Sequence, residues 1–476
     1  MSDADLLSPK RTVSTRTRKT VVYKEESDAE ELDVITSKTV TKKAATTTRK
    51  RKPIDSDAEL EASGDDEDTK KPITIKKTVA VATAKKQKTT TTTAAAAKPK
   101  AAPKAKVPKV PTASTMTSTF ARAASKMLIG AHVSIAKGVQ NSITNASTIG
   151  ANSFALFLKN QRKWSSPAMP VSDAATFRKL CEEKNYNPKT QILPHGSYLI
   201  NLATPTAEKQ KQAYDCFVDD LKRCEELGIG LYNFHPGSTL GEPRPEALKR
   251  ISDALNKAHK ETKFVKTVVE NMVGAGNVVG SSFEDLRDIL EGVEDKSRVG
   301  ICLDTCHMFA AGHDIRTKEK YEEVMGNFDR IVGRKYLCAI HLNDSKGPFE
   351  SKKDLHQNIG QGYIGLEAFR VLMNDTRLEG LPIVLETPTN EDPTVWAKEI
   401  KLLESLVGMK GDEEEFLKMA EELQAKGEGE RERVGAVVAK GKAKAAKTAK
   451  TPAKKGGRKK KVESDDEDSE GSGCSH

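Results

Sequence analysis

Aromatic residues make up only 5% of the 476 positions, with two tryptophans, and the shortage is clearest near the start. Residues 1–126 hold few aromatics and no apolar run able to form a core, being rich in Thr, Lys, Ala and Ser. Blocks such as Lys88-Thr-Thr-Thr-Thr-Thr-Ala94 and Lys98-Pro-Lys-Ala-Ala-Pro-Lys104 predict a disordered low-complexity tail there. A cysteine framework is also missing. Cys181, Cys216, Cys224, Cys302, Cys306, Cys338 and Cys474 form no CxxC pair. That excludes a disulfide-stapled secreted scaffold and reads as reduced thiols in an intracellular protein. No apolar run approaches the ~20 residues that span a bilayer, so no membrane partner is expected. The opening Met1-Ser-Asp-Ala-Asp5 is too acidic and too polar for a signal or transit peptide.

Charge is plentiful and unevenly placed. Residues 1–126 carry 27 Lys and Arg against 16 Asp and Glu, whereas residues 410–476 carry 16 against 15. The middle is left with 35 against 37, so the basic balance belongs to the ends, which suit a polyanion such as nucleic acid. Three regions follow. A basic tail covers 1–126, a globular domain covers 127–409, and a charged, largely disordered tail with a basic block and a helical-looking start covers 410–476.

Eight short apolar runs punctuate the middle region: Leu128–Val133, Ser153–Leu158, Thr190–Leu193, Leu231–Phe234, Thr267–Val269, Val299–Leu303, Tyr336–Ile340 and Pro382–Leu385. Stretches long enough for crossover helices separate them. The clearest is Ala207–Leu227, with Tyr214, Phe217, Val218, Leu221 and Cys224 on one stripe. Eight alternating β and α units in about 280 residues predict a (β/α)8 TIM barrel of class α/β. Gly274-Ala-Gly-Asn-Val-Val-Gly280 is one residue too long for a dinucleotide loop and lacks the acidic residue after a following strand.

Metal-type side chains close these runs. His195, His235, Glu270, Asp304, His341 and Glu386 sit at or just past strand ends; His307 follows Asp304, and Asp354 and His356 lie in a loop. Any one of them alone would more often be a core histidine, a helix cap or a solvated charge. Repetition at six strand ends changes that, because barrel strands converge on a catalytic rim. Five imidazoles and four carboxylates suit zinc or manganese. Nine ligands exceed what one ion takes, so two or three ions fit better, with a bridging carboxylate. The net positive charge of such a cluster favours an anionic centre, and metal-activated hydroxide attacking a phosphoester is the chemistry it supports.

Lys159-Asn-Gln-Arg-Lys-Trp164, Leu193-Pro-His-Gly-Ser-Tyr-Leu-Ile-Asn-Leu202, Asn233-Phe-His-Pro-Gly-Ser238, Asp304-Thr-Cys-His-Met-Phe-Ala-Ala-Gly312 and His341-Leu-Asn-Asp344 together resemble the endonuclease IV family of apurinic/apyrimidinic endonucleases. The resemblance covers about residues 127–405. It implies a trinuclear zinc enzyme of base excision repair that cuts DNA 5′ to abasic sites, leaving a 3′-OH, and removes 3′-blocking groups. By the same resemblance His195, His235 and Glu270 hold one zinc. Glu270 bridges to a second held by Asp304, His341 and Glu386, and is the catalytic carboxylate. His307, Asp354 and His356 hold the third, with manganese an alternative at one site. Arg162, Tyr198 and Leu199 resemble the side chains that enter duplex DNA at the lesion. His313 stands where the family would lead one to expect tyrosine. The implied partner is double-stranded DNA with abasic or 3′-blocked lesions, bound by a monomer.

Two other classes share some of these features. Sugar isomerases and epimerases use a metal-bearing barrel with fewer ligands, and a chromatin-binding protein could carry a lapsed site. Thr48-Arg-Lys-Arg-Lys-Pro53 and Lys454-Lys-Gly-Gly-Arg-Lys-Lys-Lys461 read as import signals, placing the protein in the nucleus with a mitochondrial pool as the alternative. Ser27, Ser56 and Ser464 each precede an acidic run that suits an acid-directed kinase. Residues 127–409 are expected to suffice for cleavage, since neither tail offers a ligand or an apolar face.

Overall fold

In the computed structural model, residues 120–449 are described, apart from 391 and 393, with side chains to 444. The basic clusters at 48–53 and 454–461, the serines 27, 56 and 464, and the tail over 1–119 lie outside the described residues.

The eight runs are eight strands: β1 (Leu128–His132), β2 (Ser153–Phe157), β3 (Ile192–His195), β4 (Leu231–Phe234), β5 (Lys266–Glu270), β6 (Val299–Asp304), β7 (Leu337–His341) and, last, β10 (Pro382–Leu385). All pair in parallel and close in the order β1-β10-β7-β6-β5-β4-β3-β2. The crossovers are α1 (Asn141–Thr148), α2 (Val171–Glu183), α3 (Ala207–Leu227), α4 (Arg244–Glu261), α5 (Phe283–Gly292), α6 (Thr305–Ala311), α7 (Lys318–Ile331) and α8 (Leu366–Met373), and α9 (Val395–Ser405) follows the last strand. The α3 stripe Tyr214, Phe217, Val218, Leu221 and Cys224 is buried against the barrel, as its 3.6-residue spacing requires.

Two apolar layers result. Ala155, Leu193, Leu231, Val268, Cys302, Ala339 and Val384 form a small cluster with members from seven strands, and the larger core packs strands on helices. The six cysteines among the described residues are buried and free. Among the described residues no helix is long and apolar enough to cross a membrane. The glycine-rich segment after β5 is a loop that pairs with the loop after β4 through Ser238 and Val278.

One excursion departs from the simple repeat. Between β7 and α8 the chain forms β8 (Asp344–Ser345) and β9 (His356–Gln357), an antiparallel pair carrying the Asp354 loop.

The C-terminal region opens with the helix that its start suggested, Glu414–Ala449 forming the 36-residue α10, but it carries an apolar face that was not expected. Phe416 is buried in the main core, and Met419, Ala420 and Leu423 pack against it. These residues recur at helical spacing inside a charged sequence, so averaged polarity hides the stripe. A chain ending at 409 would uncover that core. The N-terminal side also starts earlier than 127: the Phe120 amide donates to the Thr148 carbonyl at 2.9 Å.

Candidate metal centre

Parallel strands deliver their last residues to one rim, so His195, Glu270, Asp304 and His341 end β3, β5, β6 and β7. His235 and Glu386 follow β4 and β10 by one residue. Asp304 is both cap and ligand candidate. Its Oδ1 accepts the His307 amide at 2.7 Å to start α6, which turns the His307 ring onto the same rim.

The nine groups converge. Ligand atoms of His195, His235 and Glu270 lie within 4.8 Å of one another, as do those of Glu270, Asp304, His341 and Glu386, and those of His307, Asp354 and His356. Glu270 belongs to two of these groups and is fully buried. Cys306, which the sequence reading did not select, joins Asp304 and His356 in a further set.

Imidazole orientation tests the fit of a metal. His195 Nδ1 lies 2.7 Å from the Gly196 carbonyl and His307 Nδ1 lies 2.8 Å from the Asn271 carbonyl. A carbonyl only accepts, so both Nδ1 atoms carry the proton and both Nε2 atoms present a lone pair. Those Nε2 atoms, with those of His341 and His356, are buried without a hydrogen-bond partner. Yet carboxylate oxygens stand 3.3 Å from Nε2 of His195, 3.2 Å from that of His307 and 3.1 Å from that of His356. Lone pairs facing carboxylates call for a cation between them, and a mixed His and carboxylate set suits zinc.

Electrostatics agree. Burial alone would lower the imidazoles, but Glu270 carries His341 up to about 10 and Asp354 carries His356 up to about 9. Burial likewise opposes ionisation of Glu270, yet His341 and His235 hold its carboxyl well below the usual range. Protons are standing where a divalent ion would balance the charge better.

Supporting side chains were not foreseen. His132, at the end of β1, places Nδ1 3.0 Å from Glu386 Oε1. Asn233 donates to Glu270, and Asn343 donates to Asp304 Oδ2 at 2.6 Å. Such partners fix the orientation of ligands.

The expected DNA-entering residues lie on the same rim. Tyr198 is 58% exposed, with its ring 5.3 Å from that of His195 and 5.5 Å from that of His235. That exposure removes core packing as its explanation. Leu199 is half-buried beside it, and Arg162 is exposed in the loop after β2. Ser197 ties the two loops by donating to the Gln161 carbonyl at 2.7 Å. His313 stacks on Phe283 with centroids 4.4 Å apart.

Residues 143–406 match the family model described as a xylose isomerase-like TIM barrel. Apurinic-apyrimidinic endonuclease 1 of Saccharomyces cerevisiae is 53% identical over 291 residues, 61% of this chain and 79% of that protein. The chain belongs to the endonuclease IV family of apurinic/apyrimidinic endonucleases. A probable endonuclease 4 of Campylobacter curvus is 48% identical over 279 residues, 58% of this chain and 97% of that protein. The solved endonuclease IV of Thermus thermophilus aligns with TM-score 0.52 and 33% identity, covering 58% of this chain and 98% of its own. The family model therefore ends before α10 begins.

Proposed function

We propose that this chain is a zinc-dependent DNA-repair phosphodiesterase. Its reaction is cleavage of the backbone 5′ to abasic sites, leaving a 3′-OH, and removal of 3′-blocking groups in base excision repair. The observation that carries this reading is the convergence of three ligand groups on one rim, two of them sharing Glu270. His195, His235 and Glu270 hold one zinc; Glu270, Asp304, His341 and Glu386 the second; His307, Asp354 and His356 the third, with manganese an alternative at one site. Bound there, the ions supply an activated water, a clamp on the phosphate oxygens and charge for the leaving alkoxide.

The chain's own residues do the rest. His132 fixes the Glu386 carboxylate, Asn343 fixes Asp304, and Asn233 fixes Glu270. A nucleotide without a base neither stacks nor pairs, so taking it out of the duplex costs little. Tyr198, Leu199 and Arg162 fill the space it leaves and so select the lesion. Work as a monomer and residence in the nucleus, with import through the basic clusters, belong to the same proposal. The names of relatives at about half identity support the activity.

The test is one preparation of the full chain given two measurements. Incision of an abasic duplex should yield a 3′-OH, and elemental analysis should find close to three zinc ions per chain. Aldose–ketose interconversion without incision would favour a sugar isomerase, and a single ion in active protein would sink the trinuclear centre.

A further inference from the structure

We infer that α10 is a clamp on the segment carrying Asp354 and His356, which makes Gln424, Gly427 and Arg431 positioning residues for the third ion. This rests on the three-ion reading above.

Beyond the contacts of Asp354 with His307 and His356, and of His356 Nδ1 with the Glu386 carbonyl at 3.4 Å, the segment carrying these two residues has little regular structure to hold it. The β8–β9 pairing is two residues long, with Ser345 opposite His356, and the Asp354 side chain is 44% exposed. Their placement depends on residues 358–365, where the chain turns back toward α8. The barrel grips that turn by its amides. Buried Asp344 accepts from the amides of Gly362 at 2.8 Å and Ile364 at 3.0 Å, and Glu399 of α9 accepts from that of Ile359 at 2.8 Å.

The carbonyls of the turn are taken by α10. Gln424 Nε2 donates to the carbonyls of Gly360 at 2.7 Å and Gly362 at 3.0 Å. Arg431 Nη1 donates to that of Gln361 at 2.8 Å, and the Tyr363 hydroxyl donates to the Arg431 carbonyl at 2.8 Å. Residues 424, 427, 431 and 435 recur every three or four positions, so they form one stripe. Two of them are glycine, each costing about 1 kcal/mol of helix propensity. Close approach accounts for both. A β-carbon at 427 would overlap the Gln361 carbonyl, and one at 435 would lie 2.5 Å from the Tyr363 hydroxyl oxygen. The matched barrel stops at residue 406, so these contacts come from outside it.

The experiment uses the full zinc-loaded chain. Gln424→Ala with Arg431→Ala removes the side-chain hydrogen bonds to the turn while leaving the Phe416 anchor and the Tyr363 hydroxyl bond to the backbone at 431; Gly427→Leu pries the helix away; Val437→Ala, on an exposed face, is the control. Chelator challenge should show one of three ions leaving about 10–100-fold faster, the scale for losing an orienting partner. Amide exchange over 354–363 should quicken, kcat on abasic duplex should fall about tenfold with KM little changed, and Arg431→Lys should recover part of the loss. Parental zinc loss and exchange in both the double variant and Gly427→Leu, or equal loss of all three ions, would overturn the clamp alone. A parent chain holding fewer than three ions would overturn the trinuclear reading and the clamp together.

Discussion

The two ends of the barrel are both polar, and they behave in opposite ways. At the end where strands begin, Arg298 precedes β6, and His259 reaches in from α4 to Thr267 of β5. The Arg298 guanidinium donates to the His259 carbonyl at 2.8 Å, the Thr262 carbonyl at 2.8 Å, Thr262 Oγ1 at 2.7 Å and the Val265 carbonyl at 2.8 Å. His259 Nε2 lies 3.0 Å from Thr267 Oγ1, and burial with the nearby Arg298 pushes its imidazole down to about 4. At the other end His341 rises to about 10 and its Nε2 is buried unpartnered. A cation answered by carbonyls is a rivet. Imidazoles crowded by carboxylates that they cannot satisfy form a site awaiting a ligand.

The largest blow to that contrast should come from Glu270→Gln. Shape is kept while the charge shared by two ligand groups is lost. Turnover on abasic duplex should drop on the order of 10³-fold, the scale of losing a principal electrostatic group, with zinc content reduced and far-UV dichroism unchanged. Parental turnover with full zinc would mean that the rim cluster is as structural as the Arg298 cluster.

The mirror experiment is Arg298→Met. Several carbonyls lose their donor, so stability should fall by about 2–4 kcal/mol, read as a lower denaturant midpoint. Below that midpoint kcat and zinc content should match the parent. A kinetic defect at full zinc occupancy would blur the division between the two ends.

His132→Ala sharpens the contrast on the rim itself. Losing the partner of Glu386 should weaken zinc retention by about 10–100-fold while the fold survives. Unchanged retention would show that the Glu386 carboxylate is held well enough by other neighbours.

The ends also predict different pH behaviour. His341 and His356 titrate near 10 and 9 in the metal-free fold against an ordinary 6.5. Their folded values are raised, so their contribution to metal-free stability is complete below about 6.5 and lost as pH climbs through 9 to 10. Zinc must displace those protons, so its affinity should rise with pH up to these folded values and level off above them, by about tenfold per unit per proton released. Calorimetry in buffers of differing ionisation enthalpy would count them. Zinc binding without proton release would contradict the charge balance inferred for the rim. His259 is depressed instead and contributes in the opposite sense: full above 6.5, it is lost as pH falls toward 4.

How legible each feature was in the chain follows from where its partners lie. Six of the nine ligand candidates showed because a strand-end carboxylate or imidazole interrupts an apolar run, and a barrel brings such ends together; His307, Asp354 and His356 lie past those ends and were less legible alone. His132 closes Leu128-Ile-Gly-Ala-His132 in the same manner and could have been found by the same rule. Asn233 and Asn343 could not, because their partners lie 37 and 39 residues away and meet only once neighbouring strands pair. Arg298 and His259 were hidden for a related reason: their partners are largely backbone carbonyls and a threonine hydroxyl, which leave no mark on sequence. In α10, glycines at 427 and 435 within a charged run looked like helix weakeners, whereas they are where the helix comes closest to the turn it holds.

The smallest effect is expected at rim residues outside the ligand groups, those proposed to enter the duplex. Tyr198 stands over His195 and His235 but donates no ligand atom to any of the groups, and Arg162 lies in the neighbouring loop, exposed. Tyr198→Ala and Arg162→Ala should therefore leave zinc content and stability at parental values. What they remove is contact that exists only when a nucleotide is out of the stack, worth ~1–3 kcal/mol for an aromatic platform. The loss should appear as about a tenfold poorer ratio of kcat/KM for abasic duplex to binding of intact duplex, with single-turnover cleavage at saturation less affected. Ser197→Ala, which cuts the tie between the two loops, should reproduce part of the defect without touching either side chain. If both single variants discriminate like the parent, the exposed ring is no wedge, and lesion choice must rest on the shape of the ligand-lined pocket alone.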